Sequence, residues 1–192
     1  MAVMHHWTVA DLEQLPNDGK RYEIIGGDLY VSKQPHYYHQ RVCFEVGMRL
    51  GPWNSQIQLG EVNFAPGVIF SVEDAVAPDL IWISKLRLTS ALNRDGKLHE
   101  APELAVEVLS AGKDNERRDR EIKLQLYSRR GVLEYWLIDW RLRCVDVYRG
   151  DGTQLISCES LSGDETLKSG LLPGLSCRVE SLFSGIPAAI AE

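Results

Sequence analysis

An acidic side chain in the middle of an apolar run is the feature that most restricts how this chain can fold. Leu104, Ala105, Val106, Val108 and Leu109 make a run short enough for a buried strand, with turn-forming residues on both sides, and Glu107 interrupts it. An ionised carboxylate in a packed sheet costs on the order of several kcal/mol unless a partner answers it; otherwise its pKa rises until it is neutral. The run therefore requires that a bound cation or another part of the chain be brought to Glu107.

The elements available for this follow from periodicity. Thr8 is an N-cap candidate ahead of Val9, Leu12 and Leu15, which predicts a short amphipathic helix within 7–15. Two β-prone runs, 21–25 and 28–31, flank Gly26-Gly27, the signature of a tight hairpin, and Glu23 lies in the first. Tyr38, Val42, Val46 and Leu50 recur every four residues and predict a helix over 36–50. His36 and His39 fall one turn apart at its start, a spacing that can ligate a metal, although two polar residues opening a helix is the plainer reading. Strands are expected at 57–59 and 62–70, broken by Gly60 and Pro66, and at 77–83, entered through Pro78-Asp79. The polar stretch 84–100 predicts a helix and a loop leading into the Glu107 strand.

Beyond that strand, Asp114 to Arg129 reads as a helix. Ile122, Leu126 and Arg129 or Arg130 form one line on it, and Asp119, Lys123 and Tyr127 form the adjacent line. With Ile122 and Leu126 toward the sheet, Lys123 stands at the edge of the buried face; snorkelling to solvent and a local pair with Asp119 are its alternatives to a site role. Gly131 stops the helix, 134–140 forms a strand holding another embedded acid, Asp139, and 144–148 pairs with it as a hairpin. Strands at 155–161 and 175–179 and a short helix at 179–183 complete an α/β fold with a mixed sheet.

Composition narrows the functional classes. The 192 residues carry no repeat or linker, so a single domain over 1–192 is expected, with its core at about 7–183. No apolar run approaches the roughly 20 residues of a membrane span, and no signal peptide is expected at the start, which points to a cytoplasmic protein. The four cysteines are read as reduced core residues. A net charge of −6 counts against a nucleic-acid partner, but residues 112–130 hold seven basic and four acidic side chains, a local +3 just after the Glu107 strand.

Glu23, Asp79 and Glu107 each interrupt an apolar strand. Converging carboxylates make a hard-oxygen site suited to Mg²⁺ or Mn²⁺, and with a lysine nearby the set suits phosphodiester hydrolysis. Pro78-Asp79, Glu107 and a following lysine resemble the active-site pattern of the PD-(D/E)XK nuclease superfamily. More narrowly, six segments in order resemble the Uma2 family of restriction-type endonucleases: RYEIIGGDL at 21–29, Pro35-His36, APDL at 77–80, APELAVEVLS at 101–110, Lys123 with Tyr127, and GVLEYWLID at 131–139. The resemblance implies a restriction endonuclease-like fold, a central mixed β-sheet flanked by helices. It also implies metal ligation by Asp79, Glu107 and the main-chain carbonyl of Val108, with Glu23 as an outer or water-mediated ligand. The superfamily lysine falls two residues after the second acid, where this chain has Leu109; Lys123 on the next helix fits that role. Ala111 and Trp140 stand where the family usually has proline. The implied activity is Mg²⁺-dependent cleavage of DNA, by a homodimer on the analogy of restriction-type folds; the basic helix offers Arg117, Arg118 and Arg120 to flanking phosphates, a solvated face laced with i, i+4 pairs being their alternative reading. The alternatives are a non-catalytic binding or assembly protein on the same fold, which the low pI favours, and a metal-dependent hydrolase of another phosphate ester. A Lys123→Ala change is expected to leave the fold intact while abolishing cleavage.

Overall fold

The computed structural model describes residues 5–187. The chain opens with α1 (Val9–Leu12), capped by Thr8, and the hairpin β1 (Arg21–Ile25) and β2 (Asp28–Ser32). Gly26 and Gly27 both take positive φ at the hairpin turn, as a two-residue turn matched to strand twist requires. There follow α2 (Tyr37–Ile57), β3 (Gly60–Phe64), β4 (Val68–Ser71), β5 (Asp74–Val76), β6 (Leu80–Ser84), α3 (Lys85–Ala91) and β7 (Leu104–Val108). Next comes a helical stretch in three parts: α4 (Lys113–Arg117), a π-helical segment (Arg118–Lys123) and α5 (Leu124–Arg130), closed by Gly131 at φ 84°. The chain ends in β8 (Glu134–Asp139), β9 (Cys144–Gly150), β10 (Leu155–Ser162), β11 (Thr166–Lys168), β12 (Ser176–Arg178) and a 3₁₀ turn (Val179–Phe183).

The central sheet has the order β10-β9-β8-β7-β6-β3 and is mixed: β7 and β8 run parallel, the other pairs antiparallel. Side-chain alternation along its strands divides two cores. Leu104, Val106 and Val108 of β7 face one core with Val42, Val46 and Leu50 of α2. Ala105 faces the other, with Leu126 and Tyr127 of α5 and Val76 of the smaller sheet β2-β1-β5-β4. By the same alternation Glu107 points into this second layer, among a helix and a hairpin rather than toward water. Its parallel neighbour β8 is likewise buried at every position, so the run of apolar residues around Glu107 belongs to a strand with no solvent face.

Four expectations are corrected. Residues 57–59 do not form a strand; α2 runs through Pro52 to Ile57, and its last turn is fixed from outside, by Trp53 donating to the Pro173 carbonyl and by Asn54 accepting from Trp82. Asp114 to Arg129 is not a uniform α-helix but carries the π-helical segment, inside which Tyr135 donates to the Asp119 carbonyl at 3.0 Å; a side chain inserted this way holds open the α ladder. Of the four cysteines only Cys43 is buried, and Cys158 is exposed. His39, read as one of two polar residues opening a helix, does stand in the first turn of α2 but is buried.

Candidate active site

Glu107 meets its partners across the gap between β7 and the helical stretch. Lys123 Nζ donates to Glu107 Oε1 at 2.9 Å and lies 2.9 Å from Glu23 Oε1. Tyr127, one turn further along, donates its hydroxyl to the same Glu107 oxygen at 2.6 Å. The Asp119, Lys123, Tyr127 line is therefore fully buried, whereas Ile122 is only half-buried. Asp119 and Lys123 of that line lie in the π-helical segment, where the α period does not hold. Lys123 does not snorkel, and its ion-pair partners are strand carboxylates rather than Asp119.

Asp79 sits where two strands part. The β6–β7 ladder ends at Leu80 opposite Val106, and beyond it Asp79 Oδ2 accepts from the Val108 N–H at 2.9 Å, replacing a main-chain partner. Arg21 reaches Asp79 Oδ1 at 3.1 Å from β1, and His39 Nε2 lies 3.1 Å from Oδ2, from the first turn of α2. Glu23, also on β1, accepts from the Ala77 N–H at 2.9 Å, two residues before Asp79, which ties the hairpin to the entrance of β6. Arg118 pairs with Asp119 at 2.9 Å and donates to the Ser32 hydroxyl at 2.6 Å.

Of these groups Arg21, His39, Asp79, Glu107, Arg118 and Asp119 line one cleft of about 230 Å³ together with Lys20 and Lys33, while Glu23, Lys123 and Tyr127 join it only through their bonds to lining residues and their neighbours. The expected acids and Lys123 are thus brought together, and Val108 lines the same cleft. The three arginines are not on one face. Arg118 is in the cleft wall, Arg117 is exposed beside Glu121, and Arg120 is held by Asp139 and Asp146 at 3.1 Å each. His39, Arg21, Asp119 and Tyr127 complete the site without having been assigned to it from sequence; for Asp119 and Tyr127 the i, i+4, i+8 line with Lys123 was the available signal.

Acid is in surplus. Glu23, Asp79, Glu107 and Asp119 are all buried, against Lys123, Arg118, the partly exposed Arg21 and, only when protonated, His39. Burial pushes the Glu107 carboxyl up to about 8; the Lys123 ammonium opposes this, while Asp79, Asp119 and Glu23 add to it. Burial works in the same direction on Asp79, but His39, Arg21 and Lys123 outweigh it and hold that carboxyl well below the usual range. Burial would lower the Lys123 ammonium, yet Glu107, Glu23 and Asp119 raise it far above its ordinary value. Glu23 Oε2 is buried with no hydrogen-bond partner among the described residues. A carboxylate oxygen left bare at a cluster of like charges calls for a cation or water that the side chains do not supply.

An α/β architecture with a central mixed sheet flanked by helices is the restriction endonuclease-like fold. The chain belongs to the Uma2 family, whose model, described as "Putative restriction endonuclease", matches residues 9–180. Among solved structures it is similar to a putative nuclease belonging to DUF820 from Anabaena variabilis ATCC 29413, at 19% identity and a TM-score of 0.75, over 92% of this chain and 97% of that one. A match to the type IIG restriction endonuclease BpuSI, at 17% identity and a TM-score of 0.39, covers 62% of this chain but 13% of that one. No curated protein matches the chain. Among the described residues no helix is long and apolar enough to cross a membrane.

Proposed function

We propose that this chain is a single-domain, Mg²⁺- or Mn²⁺-dependent endodeoxyribonuclease, with Asp79, Glu107 and the Val108 carbonyl holding the cation and Glu23 outside it. The observation that carries this reading is the cluster of four buried carboxyls, Glu23, Asp79, Glu107 and Asp119, together with the bare Glu23 oxygen. Hard carboxylate oxygens are the donors a small divalent ion takes, and an ion there would oppose the burial and the neighbouring acids that push the Glu107 carboxyl up. When bound, the ion supplies polarisation of the scissile phosphate and a lowered pKa for the attacking water.

The chain's own groups supply the rest. Lys123 presents a fixed ammonium between Glu23 and Glu107 and balances charge that develops on the phosphate. Tyr127 fixes the Glu107 carboxylate from the same helix, and Arg21 holds Asp79 from the opposite side. Arg118 and Lys33 on the cleft wall are placed to receive phosphates of the substrate strand; Arg117 serves a flanking phosphate, and Arg120, engaged by two aspartates, has the smallest part. A cytoplasmic homodimer suits an enzyme acting on two strands, and the exposed row Tyr37, Phe44 and Met48 on α2 supports an assembly face. Phe64 packs beside that row against Gly47, where a β-carbon would come within 2.3 Å of its ring.

Lys123 and Tyr127 both donate to Glu107 Oε1, which favours a second reading, a nuclease-fold binding or assembly protein with no activity. Incubation of supercoiled, linear and single-stranded DNA with the protein, with and without Mn²⁺, separates the two. Mn²⁺-dependent cutting that is lost in Glu107→Gln supports the nuclease. Intact DNA under every condition supports the second reading.

A further inference from the structure

His36 and His39 lie one turn apart at the start of α2, but their surroundings have nothing in common. His36 caps the helix, its ring accepting from the Tyr38 N–H at 3.2 Å, and stacks on Trp140 at 4.8 Å between ring centres. His39 is carried on the helix face that also buries Val42, Cys43 and Val46, is 3% exposed, and lines the cleft with Asp79 and Glu107. Cys43 Sγ lies 3.7 Å from its Nδ1, so the thiol sits behind the ring and Nε2 is turned to the Asp79 carboxylate, 3.1 Å away.

Two donor atoms held by one cation at about 2.1 Å and at right angles stand about 3.0 Å apart. The His39–Asp79 spacing matches that bite, and both side chains are buried. We propose that His39 Nε2 is a direct ligand of the cation that Asp79 holds, and that the site consequently prefers Mn²⁺, or another first-row ion that accepts imidazole, over Mg²⁺. The inference rests on the metal-site reading above and adds a nitrogen to its oxygen donors. Mg²⁺ takes oxygen and water, whereas imidazole suits the transition metals, so one nitrogen in the first coordination sphere is enough to separate the two ions. Cys43 stands at the far ring nitrogen, where a ligating histidine takes the outer partner that fixes its orientation. On binding, the N–H bond at Nε2 is exchanged for the bond to the ion and the proton passes to solvent.

Pulsed electron paramagnetic resonance of the full chain loaded with Mn²⁺ tests this directly, since a ligating imidazole modulates the Mn²⁺ spin echo through its ¹⁴N nucleus. Nitrogen modulation is expected in the wild type and not in His39→Gln, which can still donate to Asp79. By calorimetry, Mn²⁺ should bind the wild type at least about tenfold more tightly than Mg²⁺, with the ratio falling toward one in the variant. Wild-type Mn²⁺ without nitrogen modulation, modulation that survives in His39→Gln, equal affinities for the two ions, or no Mn²⁺ binding would each overturn the proposal. If the variant does not fold, the wild-type modulation and affinity ratio decide alone. Nitrogen-ligated Mn²⁺ with DNA uncut would sink the nuclease reading and leave this one standing; DNA cut by a site whose Mn²⁺ shows no nitrogen would do the reverse.

Discussion

The helical stretch from Lys113 to Arg130 meets buried carboxylates at two places, and they are built differently. At its end, Arg129 and Arg130 reach Asp74, whose two oxygens also take the Gly26 N–H at 2.7 Å and the Ser71 hydroxyl at 3.3 Å. One acid there has two cations and two neutral donors, and both arginines keep access to water. In its middle, Lys123 is wholly buried between Glu23 and Glu107, with Asp79 and Asp119 close by and one carboxylate oxygen bare. Asp139 is of the first kind, held by Arg120 and Arg141 and capping its own turn through the N–H groups of Arg141 and Leu142. A buried acid is thus not itself the mark of a site in this molecule. The mark is an acid cluster that its own side chains leave under-compensated at a cleft.

The largest effect that separates the two places belongs to Lys123→Ala. Removing the ammonium leaves Glu23 and Glu107 buried without their shared cation, and the loss expected in urea denaturation is about 3–5 kcal/mol. This replaces the sequence-based expectation that the variant keeps its fold intact. A loss under about 1 kcal/mol would show that the carboxylates find other partners and that the contrast with Asp74 is overstated.

Asp74→Ala is expected to cost less, about 1–3 kcal/mol, because the two arginines can turn to water while the Gly26 N–H loses its acceptor. A cost as large as that of Lys123→Ala would erase the distinction. The smallest effect is acid dependence. Burial raises the Asp74 carboxyl, but Arg130, the Gly26 N–H and Arg129 outweigh it and hold its pKa below the usual value. A folded-state pKa below the unfolded one gives stability that is present above about pH 4 and lost as pH falls through the folded value. The stability difference between the wild type and Asp74→Asn should therefore be level from pH 7 to pH 5 and shrink on further acidification; a difference unchanged at pH 2 would contradict it.

Much of the site could be read from sequence because its acids lie where acids are costly. Glu107 and Glu23 declared themselves by interrupting β-prone runs, and the hairpin at Gly26-Gly27 by its turn chemistry. Lys123 was placed correctly at a helix face but only at its edge, since the π-helical segment that carries it depends on Tyr135, 12 residues further along a different element. His39 was misread because its burial is decided by Asp79, distant in sequence, and a histidine at a helix start has no local signature that separates capping from burial. The extension of α2 past Pro52 has the same origin. A proline in a helix interior predicts a stop, and the contacts of Trp53 and Asn54 with distant residues carry the helix on.

The central claim is that the cluster around Lys123 binds a divalent cation and the Asp74 cluster does not. It is tested most directly by the change in melting temperature that saturating Mn²⁺ produces in three proteins: the wild type, Asp74→Asn, and the double variant Asp79→Asn with Glu107→Gln. A ligand bound only by the folded state stabilises it in proportion to the logarithm of its saturation. The account predicts that Mn²⁺ raises the melting temperature of the wild type and of Asp74→Asn alike and leaves the double variant unmoved. Equal stabilisation of all three, or of none, would contradict it.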